Sequence, residues 1–160
     1  MQTSYSQDPV LGQAGQVADD FLSDVETRVA GGAITAGLFV IASAAGKCTV
    51  PAAAFNIEKA LGIARLDPNR TSAAYAANDS LAVIRKGRVW VEVEADSAAV
   101  ADTPAYVRVT ANGAGKLTLG AFRSDSDTTG DPATAHAVVV PNAYFRTSCA
   151  GGGLALLELG

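Results

Sequence analysis

The chain has no run rich in lysine and arginine, and it carries one histidine, one tryptophan and two cysteines in 160 residues. Without a basic run nothing tracks a phosphate backbone. A net charge of −4, from Lys+Arg 12 against Asp+Glu 16, sets nucleic acid aside as a partner. A lone imidazole, His136, makes a poor metal centre, because zinc gathers three or four ligands at set spacings. Cys48 and Cys149 lack such spacing, and a bridge between them would require Cα atoms within about 7 Å. Both are read as reduced, buried thiols. No apolar run reaches the roughly 20 residues that cross a bilayer. The longest, Ala33 to Ala45, is broken by Thr35, Gly37 and Ser43. The first basic residue is Arg28 and Met1 to Asp8 is polar, so the start has neither the charged nor the apolar part of a secretory leader. These absences predict synthesis in the cytoplasm and no membrane partner.

What is present points to strands. A chain of this length buries roughly 70% of its unfolded surface around one core. The 49% apolar fraction includes 32 alanines, so the core is expected to be thin. Gly 16 and Pro 6 scatter breakers along the chain, which suits short strands joined by turns. The expected fold is all-β: a small antiparallel β-sandwich or barrel of roughly eight to ten short strands, with an extended N-terminal arm. Residues 1–20 form that arm and residues 21–160 a single β-rich domain. The arm shows neither a period of two nor of 3.6, and its isolated apolar positions Tyr5, Val10, Leu11 and Val17 suit a segment laid along a partner.

Along the body, Val25 to Ala44 reads as two strands around a Gly31-Gly32 turn, forming a first hairpin or bend. Val50 to Phe55 and Lys59 to Leu66 read as strands, although Asn56 to Leu61 equally suits one helical turn. Asp67 to Asp79 reads as a loop opened by Asp67-Pro68-Asn69 turn chemistry. Leu81 to Glu94 reads as a β-hairpin turning at Lys86-Gly87, with Val89, Val91 and Val93 alternating against Arg88, Trp90, Glu92 and Glu94. Ala105, Val107 and Val109 alternate with Tyr106, Arg108 and Thr110, and Asn112-Gly113 turns into a further strand at Leu117 and Leu119. After the acidic loop Ser124 to Asp131, two strands flank Pro141-Asn142, and Leu154 to Leu159 closes the chain.

No catalytic or metal constellation stands out, and no cofactor is expected. His136 sits in an alternating apolar run with no nucleophile-elbow sequence, so it reads as a strand residue. Glu92 and Glu94 share a strand face about 7 Å apart, a glycosidase-like separation, yet two carboxylates opposite a valine stripe describe a half-solvated strand. Asp125, Asp127, Thr129 and Gly130 resemble the start of a calcium loop, but His136 occupies the place of its bidentate glutamate. A looser cation site among Asp125, Asp127 and Asp131 competes with an ordinary acidic surface turn. Gly113-Ala114-Gly115-Lys116 fails as a phosphate loop, because Thr110 and Leu117 stand where glycine and a hydroxyl are needed.

Several segments, in shared order, resemble the structural cement or capsid decoration proteins of tailed bacteriophages. The first is Gly12-Gln13-Ala14-Gly15-Gln16-Val17-Ala18-Asp19, followed by Val25-Glu26-Thr27-Arg28-Val29 and Gly37. Next comes Val83-Ile84-Arg85-Lys86-Gly87-Arg88-Val89-Trp90-Val91, with Pro104-Ala105-Tyr106-Val107-Arg108 after it. Gly120-Ala121-Phe122-Arg123-Ser124-Asp125 and Gly153-Leu154-Ala155-Leu156-Leu157-Glu158-Leu159 complete the set. Ala44 to Ala54 and the loop Asp67 to Asp79 carry no part of this resemblance.

The resemblance implies a non-enzymatic virion protein on the capsid surface. It would bind the outside of an expanded capsid and stabilise contacts between major capsid protein subunits. It would also meet other copies of itself, with a trimer expected first, a dimer second and a monomer left open. Tyr5, Val10, Leu11, Val17, Trp90 and Tyr106 are the expected contact residues for capsid or protomer, since out-of-phase aromatics suit interface centres. For Trp90 and Tyr106 the competing expectation is packing on a second sheet. The alternative function is a carbohydrate- or host-binding β module of a phage fibre or adhesin, for which four tyrosines and one tryptophan are few.

Overall fold

A computed structural model describes residues 12–43, 46–52, 57–113, 116–128, 130 and 135–160. Among them run eleven strands: β1 (Val17–Ala30), β2 (Ile34–Thr35), β3 (Phe39–Ala42), β4 (Lys47–Thr49), β5 (Ala60–Ala64), β6 (Ala74–Tyr75), β7 (Ser80–Glu92), β8 (Pro104–Arg108), β9 (Phe122–Arg123), β10 (Ala137–Phe145) and β11 (Leu154–Leu159). A 3-10 turn at Ile57–Lys59 leads into β5, so both readings of that stretch hold in part. No helix among the described residues is long and apolar enough to cross a membrane. The all-β expectation stands.

The pairings close two circuits that share β7. In the first, β1 pairs with β4, β4 with β3, β3 with β5, β5 with β7, and β7 again with β1. In the second, β7 pairs with β11, then β10, β8 and β9, and a parallel bridge from Phe122 to Val93 returns the circuit to the end of β7. Every pairing between strands is antiparallel except β1 with β4. Closure of this kind leaves few free strand edges. Each circuit encloses a cluster of its own. Val40, Cys48, Leu61, Ala64, Leu81 and Val83 fill the first with Tyr75, whereas Val89, Val91, Val107, Phe122, Phe145 and Leu157 fill the second. Phe39, Ile41, Ile63 and Ile84 belong to strands of the first circuit but join the second cluster. Phe39 meets Phe122 edge to face at 6.3 Å, an arrangement aromatic quadrupoles favour.

Four local expectations are corrected. Lys86-Gly87 is not a turn, because β7 runs straight through it. A two-residue reversal needs either positive φ at both central residues or glycine at the first of them, and Lys86 satisfies neither. Gly87, with φ 119, instead marks a slip in phase: Leu81 and Val83 face the first core, Val89 and Val91 the second. Pro141-Asn142 likewise lies inside β10, where Asn142 at φ 56 and a register shift between Val139 and Tyr144 mark an irregularity. Asn112-Gly113 does turn, with Asn112 N–H donating to the Lys116 carbonyl at 3.0 Å, but Leu117 and Leu119 form no strand and Leu117 is 65% exposed. Of the two readings at Gly31-Gly32 the bend holds and the hairpin does not, since β4 lies between β1 and β3.

The remaining readings sit closer to the observed chain. The loop Asp67 to Asp79 holds the short β6, which pairs with β2 and sends Tyr75 into the first core. Cys48 is fully buried, whereas Cys149 is half-buried, and both are free thiols. The division drawn after residue 20 falls within β1.

Candidate functional site

The described part of the N-terminal segment lies on the body. Gln16 N–H donates to the Gln13 carbonyl at 2.9 Å, closing a turn in which Gly15 has φ 82. Gly15 N–H donates to the Trp90 carbonyl at 2.8 Å, and Trp90 N–H to the Gln16 carbonyl at 2.9 Å. Val17 then pairs with Val89 and is half-buried. Gly12 sits against the indole of Trp90: a Cβ there would stand 2.6 Å from a ring carbon, with φ at 107, so a side chain at this position would displace the ring. Trp90 is therefore half-buried beside the chain's own N-terminal segment, and its strand neighbour across β11 is Leu156. Tyr5, Val10 and Leu11 lie outside the described residues.

Tyr106 projects from β8 on the face opposite the second core. It stands across from Val139 on β10 and Arg123 on β9. Val139 is 41% exposed and Tyr144, farther along β10, is 40% exposed. Arg146 lies over the Tyr144 ring at 5.8 Å and pairs with Asp102 and Glu158. This outer face thus combines exposed apolar side chains with paired charges.

Beside Tyr106 the same face carries an ionic cluster that sequence reading missed. Arg108 follows Val107 on β8, so alternation turns it away from the core, yet its side chain is fully buried. The segment after β9 covers it. Arg108 Nη2 donates to Asp127 Oδ2 at 2.8 Å and to Glu94 Oε2 at 2.7 Å, while its Nε reaches Glu94 Oε1. Arg123 Nη1 donates to Glu94 Oε2 at 2.6 Å, and Asn112 and Lys116 complete the surroundings of Asp127. No buried side-chain nitrogen or oxygen among the described residues lacks a partner. Glu94, then Asp127, hold the Arg108 guanidinium above its ordinary value despite the cost of burial. Asp96 is held below the usual carboxylate range by the hydrogen bond from Lys116, which it raises in turn.

This cluster corrects two expectations. Asp125 and Asp127 do not form a plain surface turn: Asp125 pairs with Arg123 at 2.8 Å, and Asp127 is fully buried among cations. Their oxygens point at guanidinium groups rather than at a vacant centre, and Asp131 lies outside the described residues. No group of three or more His, Cys, Asp or Glu among the described residues is arranged to hold a metal ion. Glu92 and Glu94 do not act as a pair, because Glu92 is exposed and Glu94 is bound to two arginines. His136 stands just ahead of β10. Its Nδ1 is 2.9 Å from the Asp127 carbonyl, which can only accept, so the proton is on Nδ1.

The family model described as structural cement protein (E217 gp24/Pam3 gp6) matches residues 1–160. Among solved structures, a chain of the capsid of Myoviridae phage XM1 is similar, with a TM-score of 0.75 at 18% identity. The alignment covers 100% of this chain and 97% of that one, so the two share a fold over their full length. No curated protein matches in sequence.

Proposed function

Because this chain belongs to the phage structural cement protein family over its whole length, we propose that it binds the outside of an expanded tailed-phage capsid and stabilises contacts between major capsid protein subunits. The family match carries this reading. It makes the role structural and the location the virion. A packaged genome presses outward on a thin shell, and a clip that binds only the assembled lattice stabilises it by mass action. At 100 times its dissociation constant such a clip contributes about 2.7 kcal/mol per site, repeated over every copy. Two closed strand circuits packed against one another supply the stiffness such a clip needs.

The contact surface is assigned to two places. One is the segment ahead of Gly12, with Tyr5, Val10 and Leu11 as anchors. The other is the outer face of β8 and β10, with Tyr106 beside the exposed Val139 and Tyr144. Val17 and Trp90 act by holding the segment's base. Self-association, as a trimer ahead of a dimer, accompanies binding, and light scattering of the free protein separates these states.

Deleting residues 2–11 while keeping the Gly15 and Gln16 bonds to Trp90 tests the segment. Occupancy on expanded empty shells, measured by co-sedimentation, should fall with the melting temperature unchanged. Undiminished occupancy removes the segment from the contact.

A further inference from the structure

Arg28, Arg70, Arg85, Arg88, Arg108, Arg123 and Arg146 each meet a carboxylate within ion-pair distance. Among the described residues Arg65 is the exception, although acids outnumber bases 16 to 12 in the chain. It is not a freely solvated surface arginine. Arg65 is half-buried where two adjoining cavities of about 290 and 400 Å³ share Arg65, Leu66 and Pro68 as lining. Gln13 and Gln16 of the N-terminal segment line one end of this groove, and Asn69 and Tyr75 the other.

The backbone beneath Arg65 is fixed from three directions. Its N–H donates to the Ala82 carbonyl at 2.8 Å, its own carbonyl accepts the Tyr75 hydroxyl at 2.7 Å, and the next N–H, of Leu66, donates to the Gly15 carbonyl at 2.9 Å. Asp67, the acid nearest in sequence, accepts the Asn69 N–H at 2.9 Å within its own turn and makes no ion pair with Arg65. An arginine that is half-buried, rooted in a backbone fixed by these bonds and without a counter-charge among the described residues is suited to a planar anion.

We propose that this groove is an interaction surface for a carboxylate side chain, an Asp or Glu in an extended segment of a neighbouring protein, with Arg65 as its two-pronged partner. Gln16, whose Oε1 already accepts the Gln13 N–H at 3.1 Å, offers its amide NH2 to the backbone of that segment beside the Gln13 side chain, and Leu66 and Pro68 offer apolar contact. That the neighbour is a capsid protein rests on the cement reading; carboxylate recognition by Arg65 does not.

The test compares wild type, Arg65→Ala and Arg65→Glu with Lys86→Ala, which removes one exposed positive charge elsewhere. Binding to expanded empty shells is measured by co-sedimentation, and the Arg65 Nε resonance is followed during titration with sodium acetate and with sodium chloride at equal ionic strength. Shell binding should weaken at least about tenfold in both Arg65 variants and stay near wild type in Lys86→Ala. Melting temperatures should match, since Arg65 has no ion pair among the described residues to lose. Acetate should move the Nε resonance further than chloride does. Shell binding by Arg65→Glu equal to wild type overturns the assigned neighbour, and equal shifts with the two salts overturn carboxylate recognition. If wild type ignores shells while acetate shifts Arg65, the site stands and the cement reading falls.

Discussion

Arg108 is a charged side chain with no exposure, tolerated because two carboxylates meet it and each of its three guanidinium nitrogens has a partner. Replacing it with alanine would leave Glu94 to Arg123, and the buried Asp127 to Lys116, Asn112 and the more distant Arg123. Removing one partner from a buried ionic group typically costs about 3–5 kcal/mol, so Arg108→Ala should lower the urea-unfolding free energy by that amount. A loss under about 1 kcal/mol, the range of exposed ion pairs, would contradict this role. None of this was legible in sequence. Arg108 occupies a position in an alternating strand that reads as solvent-facing, and its cover arrives from Asp127, far along the chain. The apolar partners of the same strand, Ala105 and Val107, were legible because alternation alone assigns them to the core.

At the scale of the element, β7 carries the architecture by serving both circuits. Gly62 on β5 makes that possible. Its φ is 151, and a Cβ there would run into the Ile84 carbonyl oxygen of β7. Gly62→Ala should therefore destabilise the protein by about 3 kcal/mol or more, combining strain with loss of close strand approach. Chemical denaturation reads this directly, and a wild-type midpoint would show that β5 and β7 can separate without consequence.

Element legibility followed the same division between local and distant causes. Leu154 to Leu159 reads as the closing strand, and it is β11. Lys86-Gly87 reads as a turn, and Pro141-Asn142 as a break between two strands, because breakers end strands more often than they bend them. Here β1 pairs with β7 on both sides of its glycine and β11 reaches Gly87 itself, while β8 pairs with β10 on both sides of Pro141-Asn142. Such long-range pairing outweighs local turn preference and leaves no local trace.

For the whole molecule, acid is the expected weakness. Hydrogen bonds from Arg146 and then Arg88 hold Glu158 below its ordinary value, Arg28 does so for Glu26, Lys116 for Asp96, and the Ala76 N–H for Asp79. A lowered folded value means that the unfolded chain binds more protons in the acid range. The stabilisation is therefore complete above the ordinary values of 3.8 and 4.5 and is lost as pH falls through them toward the folded values. Urea midpoints should stay level from about pH 8 to 6 and decline below about pH 5. A midpoint that rises on acidification would contradict these assignments.

The family and the β class could be read from ordered sequence segments. The closed circuits could not, because closure depends on β1 returning to β7 and Phe122 to Val93. Under the proposed function, this doubly closed strand body holds a capsid lattice together by contact. Cryo-electron microscopy of the purified virions that carry the chain tests it most directly. The prediction is density for two adjoined strand circuits on the outer capsid surface, bridging neighbouring major capsid protein subunits at saturating occupancy. Virions whose capsids lack that density, or hold it against a single subunit without bridging, would contradict the claim.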